Sequence, residues 1–139
     1  RRLDLPGVGQ TLRPIIVRHE TERDRWAGTV TFTRVYLGAG HAVHGGVISM
    51  MFDNFLGGLV NSGGRTPCRT AYLHVDYRAL TPMDTECVVE AWFHQEEGRK
   101  RLVRGLLRHG DVVCAEAEGL FIQLREPPTA WFPGVSSGP

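Results

Sequence analysis

Long apolar runs are missing from this chain: no stretch reaches the length needed to span a bilayer, and none near the N-terminus reads as the apolar core of a secretory signal. Strong charge is missing as well. The net charge is +1 and the basic residues are scattered apart from Arg99-Lys100-Arg101, so no field points to nucleic acid or to an anionic membrane. Cysteine is scarce. Cys68, Cys87 and Cys114 lie far apart with no C-x-x-C pair, which fits reduced thiols in a cytoplasmic protein better than a disulfide framework. The odd count leaves at least one thiol unpaired within the chain. Internal repeats and low-complexity segments are absent too. The chain begins at Arg1 rather than Met, which leaves a removed targeting segment open. What remains is a single domain of 139 residues, large enough to build a core without staples.

The pattern predicts one long helix and about five to six strands. Residues 1–25 are polar and charged, with Pro6, Gly7 and Pro14, and read as an irregular lead-in holding at most a short helix. Trp26 to Leu37 is rich in Thr, Val, Phe and Tyr and reads as a strand, followed by a Gly38-Ala39-Gly40 loop. A helix is expected from about Gly46 to Asn61, ended by Ser62-Gly63-Gly64. Strands are expected over Thr70 to Arg78, Glu86 to Gln95, Arg101 to Arg108 and Val112 to Leu124. Turn signals at Glu97-Gly98 and Gly110-Asp111 predict an antiparallel meander. Together these give an α+β domain with the sheet wrapped around the helix. Residues 125–139, with Pro127, Pro128 and Pro133, read as a loose tail.

The segment His44-Gly45-Gly46-Val47-Ile48-Ser49-Met50-Met51-Phe52-Asp53 carries the chemistry. Apolar residues recur at Val47, Ile48, Met51, Phe52, Phe55 and Leu59, the spacing of a helix with one buried face. An ionised Asp53 in that run is costly unless something pairs with it or uses it. Its neighbours Met50, Phe52, Phe55 and Leu56 leave little room for a solvent face. The two glycines let a substrate or a second backbone approach the helix start, where free N–H groups and the dipole favour negative charge. One stretch therefore offers a carboxylate and a place for an oxyanion. Gly57 and Gly58 lower helix propensity by about 1 kcal/mol each relative to Ala, which points to a close approach by a strand or a ligand tail.

The His-Gly-Gly start with an acidic residue nine positions after the His resembles the hotdog-fold acyl-CoA thioesterases, in the branch of the phenylacetate-pathway thioesterase and the "thioesterase superfamily member" enzymes. Two further blocks carry the resemblance in order. One is Thr70-Ala71-Tyr72-Leu73-His74-Val75-Asp76-Tyr77 with Pro82 after it; the other is Val113-Cys114-Ala115-Glu116-Ala117-Glu118-Gly119-Leu120-Phe121. Together they span roughly residues 28 to 124. The resemblance implies a hotdog fold and hydrolysis of an acyl-CoA to free acid and CoA, without metal or redox cofactor. It implies that Asp53 attacks the thioester or activates the attacking water. It also places a Thr or Ser near that acid, here Thr70, to hold Asp53 or the water.

Spacing adds a separate argument. Gly45 and Asp53 are eight residues apart, about 12 Å along a helix, whereas attack and oxyanion stabilisation need groups within about 3 Å of one carbonyl. A site shared between two subunits resolves this, and the resembled family builds its site that way. The expectation is a homodimer, with a tetramer of paired dimers left open.

The remaining candidates are weaker signals. His44 reads first as an anchor for the loop and second as a general base, which keeps it among the candidate catalytic residues with Asp53, Gly45, Gly46 and Thr70. His41 and His44 form an H-x-x-H, but no third ligand of matching spacing makes a metal site. Relatives carry an Asn a few residues before the His-Gly-Gly; this chain has Gly38-Ala39-Gly40-His41 there. Asn54, Met50, Phe55, Gly57 and Gly58 are candidates for contact with the acyl part. Arg78, Arg99, Lys100 and Arg101 are candidates for the phosphates of coenzyme A. Trp26, Trp92 and Trp131 read as core or interface. Two rivals stand beside hydrolysis: a non-catalytic module that binds an acyl thioester, and a hotdog dehydratase or hydratase.

Overall fold

The computed structural model describes residues 16–20, 25–33 and 42–125. In chain order the elements are β1 (Ile16–Glu20), β2 (Arg25–Thr31), α1 (Gly45–Val60), β3 (Cys68–Tyr77), β4 (Glu86–Glu97), β5 (Lys100–His109) and β6 (Val112–Gln123). The six strands form one antiparallel sheet in the order β1-β2-β4-β5-β6-β3. α1 packs against its inner face.

The period of two explains that face. Cys87, Val89 and Ala91 of β4, Arg101, Val103, Gly105 and Leu107 of β5, and Ala117, Gly119 and Phe121 of β6 point inward and are buried. From the helix side come Ile48, Met51, Phe52, Phe55, Leu56, Leu59 and Val60. Each large side chain taken wholly out of water contributes about 1.5–3 kcal/mol. Gly105 lets the layers meet: a Cβ there would lie 2.9 Å from the Glu90 carbonyl oxygen and 3.1 Å from Leu56. No strand of the described residues approaches Gly57 closely, because a Cβ there would meet Phe121 at 3.7 Å, an ordinary contact.

Three expectations need correction. The lead-in is not all irregular: Ile16–Glu20 is a strand paired with β2, a five-residue segment too short to show an alternating pattern. The strand read from Trp26 onward stops at Thr31, and residues 34–41 lie outside the described ones, as do most of the lead-in, the tail beyond 125 and Trp131. The strands are not a simple meander either. β4, β5 and β6 follow one another through tight turns in which Gly98 and Gly110 take positive φ. β3, however, pairs with β6 at the far edge, and residues 78–85 carry the chain across to β4. Pro82 in that connection bridges to Ala42, and the Val43 N–H donates to the Thr81 carbonyl at 3.1 Å, so the loop before α1 is tied to the loop after β3.

Trp26 is buried edge-on against Phe55, while Trp92 is half-buried under the Arg25 guanidinium. Among the described residues no helix is long and apolar enough to cross a membrane, and no group of three or more His, Cys, Asp or Glu is placed to hold a metal ion.

Candidate active site

His44 is the N-cap of α1. Its extended backbone (φ −60°, ψ 131°) lets its carbonyl accept from the Val47 N–H at 3.0 Å and the Ile48 N–H at 3.4 Å, while ring Nδ1 accepts from the Gly46 N–H at 3.0 Å. The first-turn amides are therefore engaged at Gly46, Val47 and Ile48. The Gly45 N–H has no protein partner among the described residues. His41 lies outside the described residues.

Asp53 does not sit among apolar neighbours. The sheet covers only one side of α1, so Gly46, Met50 and Asp53 form an exposed stripe one turn apart, continued by half-exposed Gly57. Met50 is 43% exposed. Thr70 and Asp53 are brought together, with Thr70 Oγ1 donating to Asp53 Oδ1 at 2.8 Å. Asn54, beside Asp53, is half-buried, and its Nδ2 is buried without a hydrogen-bond partner.

Tyr77, at the other end of β3, and Ser49 of α1 make contacts that the strand and helix patterns alone do not mark. The Tyr77 hydroxyl donates to the Gly45 carbonyl at 2.6 Å and lies 2.6 Å from Ser49 Oγ. The available signal was the helical spacing of Ser49, four residues after Gly45 and so on the same face. Tyr77, Gly45, His44, Ile48 and Thr81 line a groove of about 580 Å³ at the helix start.

The arginines part company. Arg101 is only 5% exposed and is not available to a phosphate: its Nη1 donates to the Val60 and Thr66 carbonyls, both at 2.8 Å, closing the C-terminus of α1. Arg78 is exposed, and its Nη2 donates to Glu116 at 3.0 Å. Arg99 donates to the Gln123 carbonyl at 2.9 Å and lines a groove of about 420 Å³ with Arg69 and Arg125. Arg69, near the start of β3, and Arg78, just past its end, lie roughly 30 Å apart along extended chain, so one chain cannot bring both to one phosphate. Lys100 is exposed in the β4–β5 hairpin. Two of the thiols offer no ready nucleophile: burial pushes the Cys68 thiol up, and it pushes buried Cys87 up to about 11.

No family model and no curated protein matches the chain. Among solved structures it is similar to a thioesterase superfamily protein, with 33% identity and a TM-score of 0.72 over 78% of this chain and 56% of that one. This chain thus spans little more than half the length of that protein. It is similar as well to a phenylacetic acid degradation-related protein of Ralstonia eutropha JMP134, with 20% identity and a TM-score of 0.76 over 86% of this chain and 92% of that one. A third is a hypothetical thioesterase protein of Streptococcus pneumoniae TIGR4 in a structure with coenzyme A, with 15% identity and a TM-score of 0.71 over 80% and 89%.

Proposed function

We propose that this chain, whose fold is that of the hotdog thioesterase superfamily proteins, hydrolyses an acyl-CoA thioester to the free acid and coenzyme A. One observation carries the reading: Asp53 stands on the open face of α1 with its Oδ1 held by the Thr70 hydroxyl. A carboxylate so oriented, its other oxygen without a hydrogen-bond partner among the described residues, suits either attack on a thioester carbonyl or removal of a proton from the attacking water. In the second case the water oxygen bonds to the carbonyl carbon, the Gly45 N–H stabilises the resulting oxyanion, and collapse expels the CoA thiolate. The similar protein of S. pneumoniae, solved with coenzyme A, supports the choice of thioester.

The site belongs to a dimer in this reading. Asp53 lies where α1 meets the Thr70 end of β3, and Gly45 where it meets the Tyr77 end. Among the described residues β3 is an edge strand, ten residues long with Tyr72 and Tyr77 about half-exposed, and offers a row of backbone donors and acceptors. Pairing β3 antiparallel with a second copy about a two-fold axis sets the Thr70 end of one chain against the Tyr77 end of the other. Asp53 of one protomer then faces Gly45 of its partner.

The test is thiol release across acyl-CoAs of different chain length and aromatic character, with Asp53→Asn in parallel. The parent turns over at least one class, and Asp53→Asn loses about a hundredfold or more in kcat while still binding it. Near-normal turnover in Asp53→Asn would sink the assignment. Binding without release by the parent would make the chain a binding module.

A further inference from the structure

One strand holds the open stripe of α1 at two points. Thr70 holds Asp53, and Tyr77 holds the helix start. The Tyr77 oxygen carries one proton and a carbonyl can only accept, so that proton goes to the Gly45 oxygen at 2.6 Å. The contact with Ser49 Oγ, also 2.6 Å, must then run the other way, with the serine hydroxyl donating to the tyrosine oxygen. Ser49, Tyr77 and Gly45 form a directed relay in which each bond strengthens the next. The ring adds a steric term. Its Cε1, Cζ and hydroxyl oxygen lie 3.4 Å from where a Cβ on Gly45 would be.

From this geometry we infer that Tyr77 is a positioning residue for the oxyanion donor, an inference that rests on the hydrolase reading above. A glycine at the first helical position has wide backbone freedom, and its N–H is useful only if it points one way before the charge develops. The His44 carbonyl, accepting from Val47 and Ile48, fixes the peptide before Gly45. Tyr77 fixes the peptide after it by gripping the Gly45 oxygen and filling the space beside the missing side chain. Held from both sides, the Gly45 N–H keeps one direction. Tyr77 acts through the backbone and supplies no group to the reaction.

Tyr77→Phe tests this, because it keeps the ring against Gly45 and removes only the hydroxyl. In thiol release, kcat falls about tenfold while KM stays within about twofold, and the pH profile keeps its shape because Asp53 and Thr70 are untouched. Ser49→Ala gives a smaller loss and adds nothing in the Tyr77→Phe background, since it acts through the tyrosine. Proton–nitrogen NMR provides a readout independent of turnover: the Gly45 and Gly46 amide signals move and exchange faster with solvent. Unchanged kcat, a loss carried by KM alone, or Gly45 and Gly46 signals that stay in place would each overturn the inference. A parent that releases no thiol defeats the hydrolase reading and the oxyanion role with it, and the amide signals then decide only whether the relay orders the helix start. Ser49→Ala carries the same NMR test should Tyr77→Phe not fold.

Discussion

Thr70 and Tyr77 both reach α1 from β3, although they stand seven positions apart. In a regular strand an odd separation sends two side chains to opposite faces. Here Thr70 pairs with Phe121 and Tyr72 with Leu120, which leaves Ala71 as an extra residue on β3. This bulge shifts the alternation by one, so that both hydroxyls meet the helix. The two contacts proposed to matter, one on the carboxylate and one on the helix start, exist on one strand because of one inserted residue.

Deleting Ala71 should therefore separate them. The strand regains its period of two, and either the Thr70 end or the Tyr77 end turns to the outer face. Thiol release should fall about a hundredfold, because one of the two holds is lost in every register. Far-ultraviolet circular dichroism should still report a folded α+β protein, since β3 is an edge strand and the core strands keep their pairing. A folded deletion variant with near-parent turnover would show that the bulge does not serve the site.

Much of this architecture is legible in the residues, and the exceptions have physical causes. α1 was visible because Ile48, Met51, Phe52, Phe55 and Leu59 mark one face at helical spacing. β4, β5 and β6 were visible because Gly98 and Gly110 punctuate alternating runs. The place of β3 was not, because local pattern identifies a strand without naming its partner, and the pairing with β6 is made 38 to 55 residues away in sequence. The Thr70–Asp53 pair was reached through the family resemblance and not through spacing. The exposure of Asp53 was misread, because apolar neighbours in sequence say little about which flank of a helix a curved sheet leaves open. Arg101 was misassigned for a related reason: an arginine beside a turn reads as surface, and only the inward parity of β5 reveals that it is buried.

That burial gives Arg101 a structural task with a measurable size. Its guanidinium satisfies the Val60 and Thr66 carbonyls at the end of α1, and its side chain fills part of the inner face. Arg101→Met keeps much of the volume but orphans both carbonyls. Urea unfolding should show a loss of about 3 kcal/mol. KM for acyl-CoA should stay within about twofold of the parent. A rise in KM of tenfold or more without loss of stability would return Arg101 to the phosphates.

Glu90 gives a pH-dependent term of known sign. Hydrogen bonds from Arg25 first, then Arg108, hold its carboxyl below its ordinary value against the opposing effect of burial. A carboxylate with a lowered folded value stabilises the fold above its unfolded value and loses that contribution as pH drops through the folded one. At pH 7 Glu90→Gln should cost about 1 kcal/mol, a modest figure because both arginines are partly exposed. Below the ordinary value of 4.5 the difference from the parent should shrink. Denaturant curves of both proteins between pH 3 and pH 7 measure it, and a gap that widens in acid would contradict the assignment.

The shared site can be tested by complementation between chains. Asp53→Ala removes the carboxylate. Its partner variant must remove the oxyanion donor without breaking the helix, and the cap geometry indicates Gly45→Pro. Proline has no N–H, is well accepted at the first helical position, and requires an extended residue before it. His44 at ψ 131° is already extended, and a Cβ at position 45 would meet the Tyr77 ring at 3.4 Å, an ordinary contact. Each variant alone should form inactive dimers, because both of its sites lack the same half. In a mixed dimer one site carries both defects, while the other joins the intact helix start of the Asp53→Ala chain to the intact Asp53 of the Gly45→Pro chain. Mixing should therefore restore up to about half the parent activity per mixed dimer. Native mass spectrometry establishes that the chains have exchanged. Proven exchange with no recovered thiol release would mean that each chain builds its site alone or that the Gly45 N–H has no part in it.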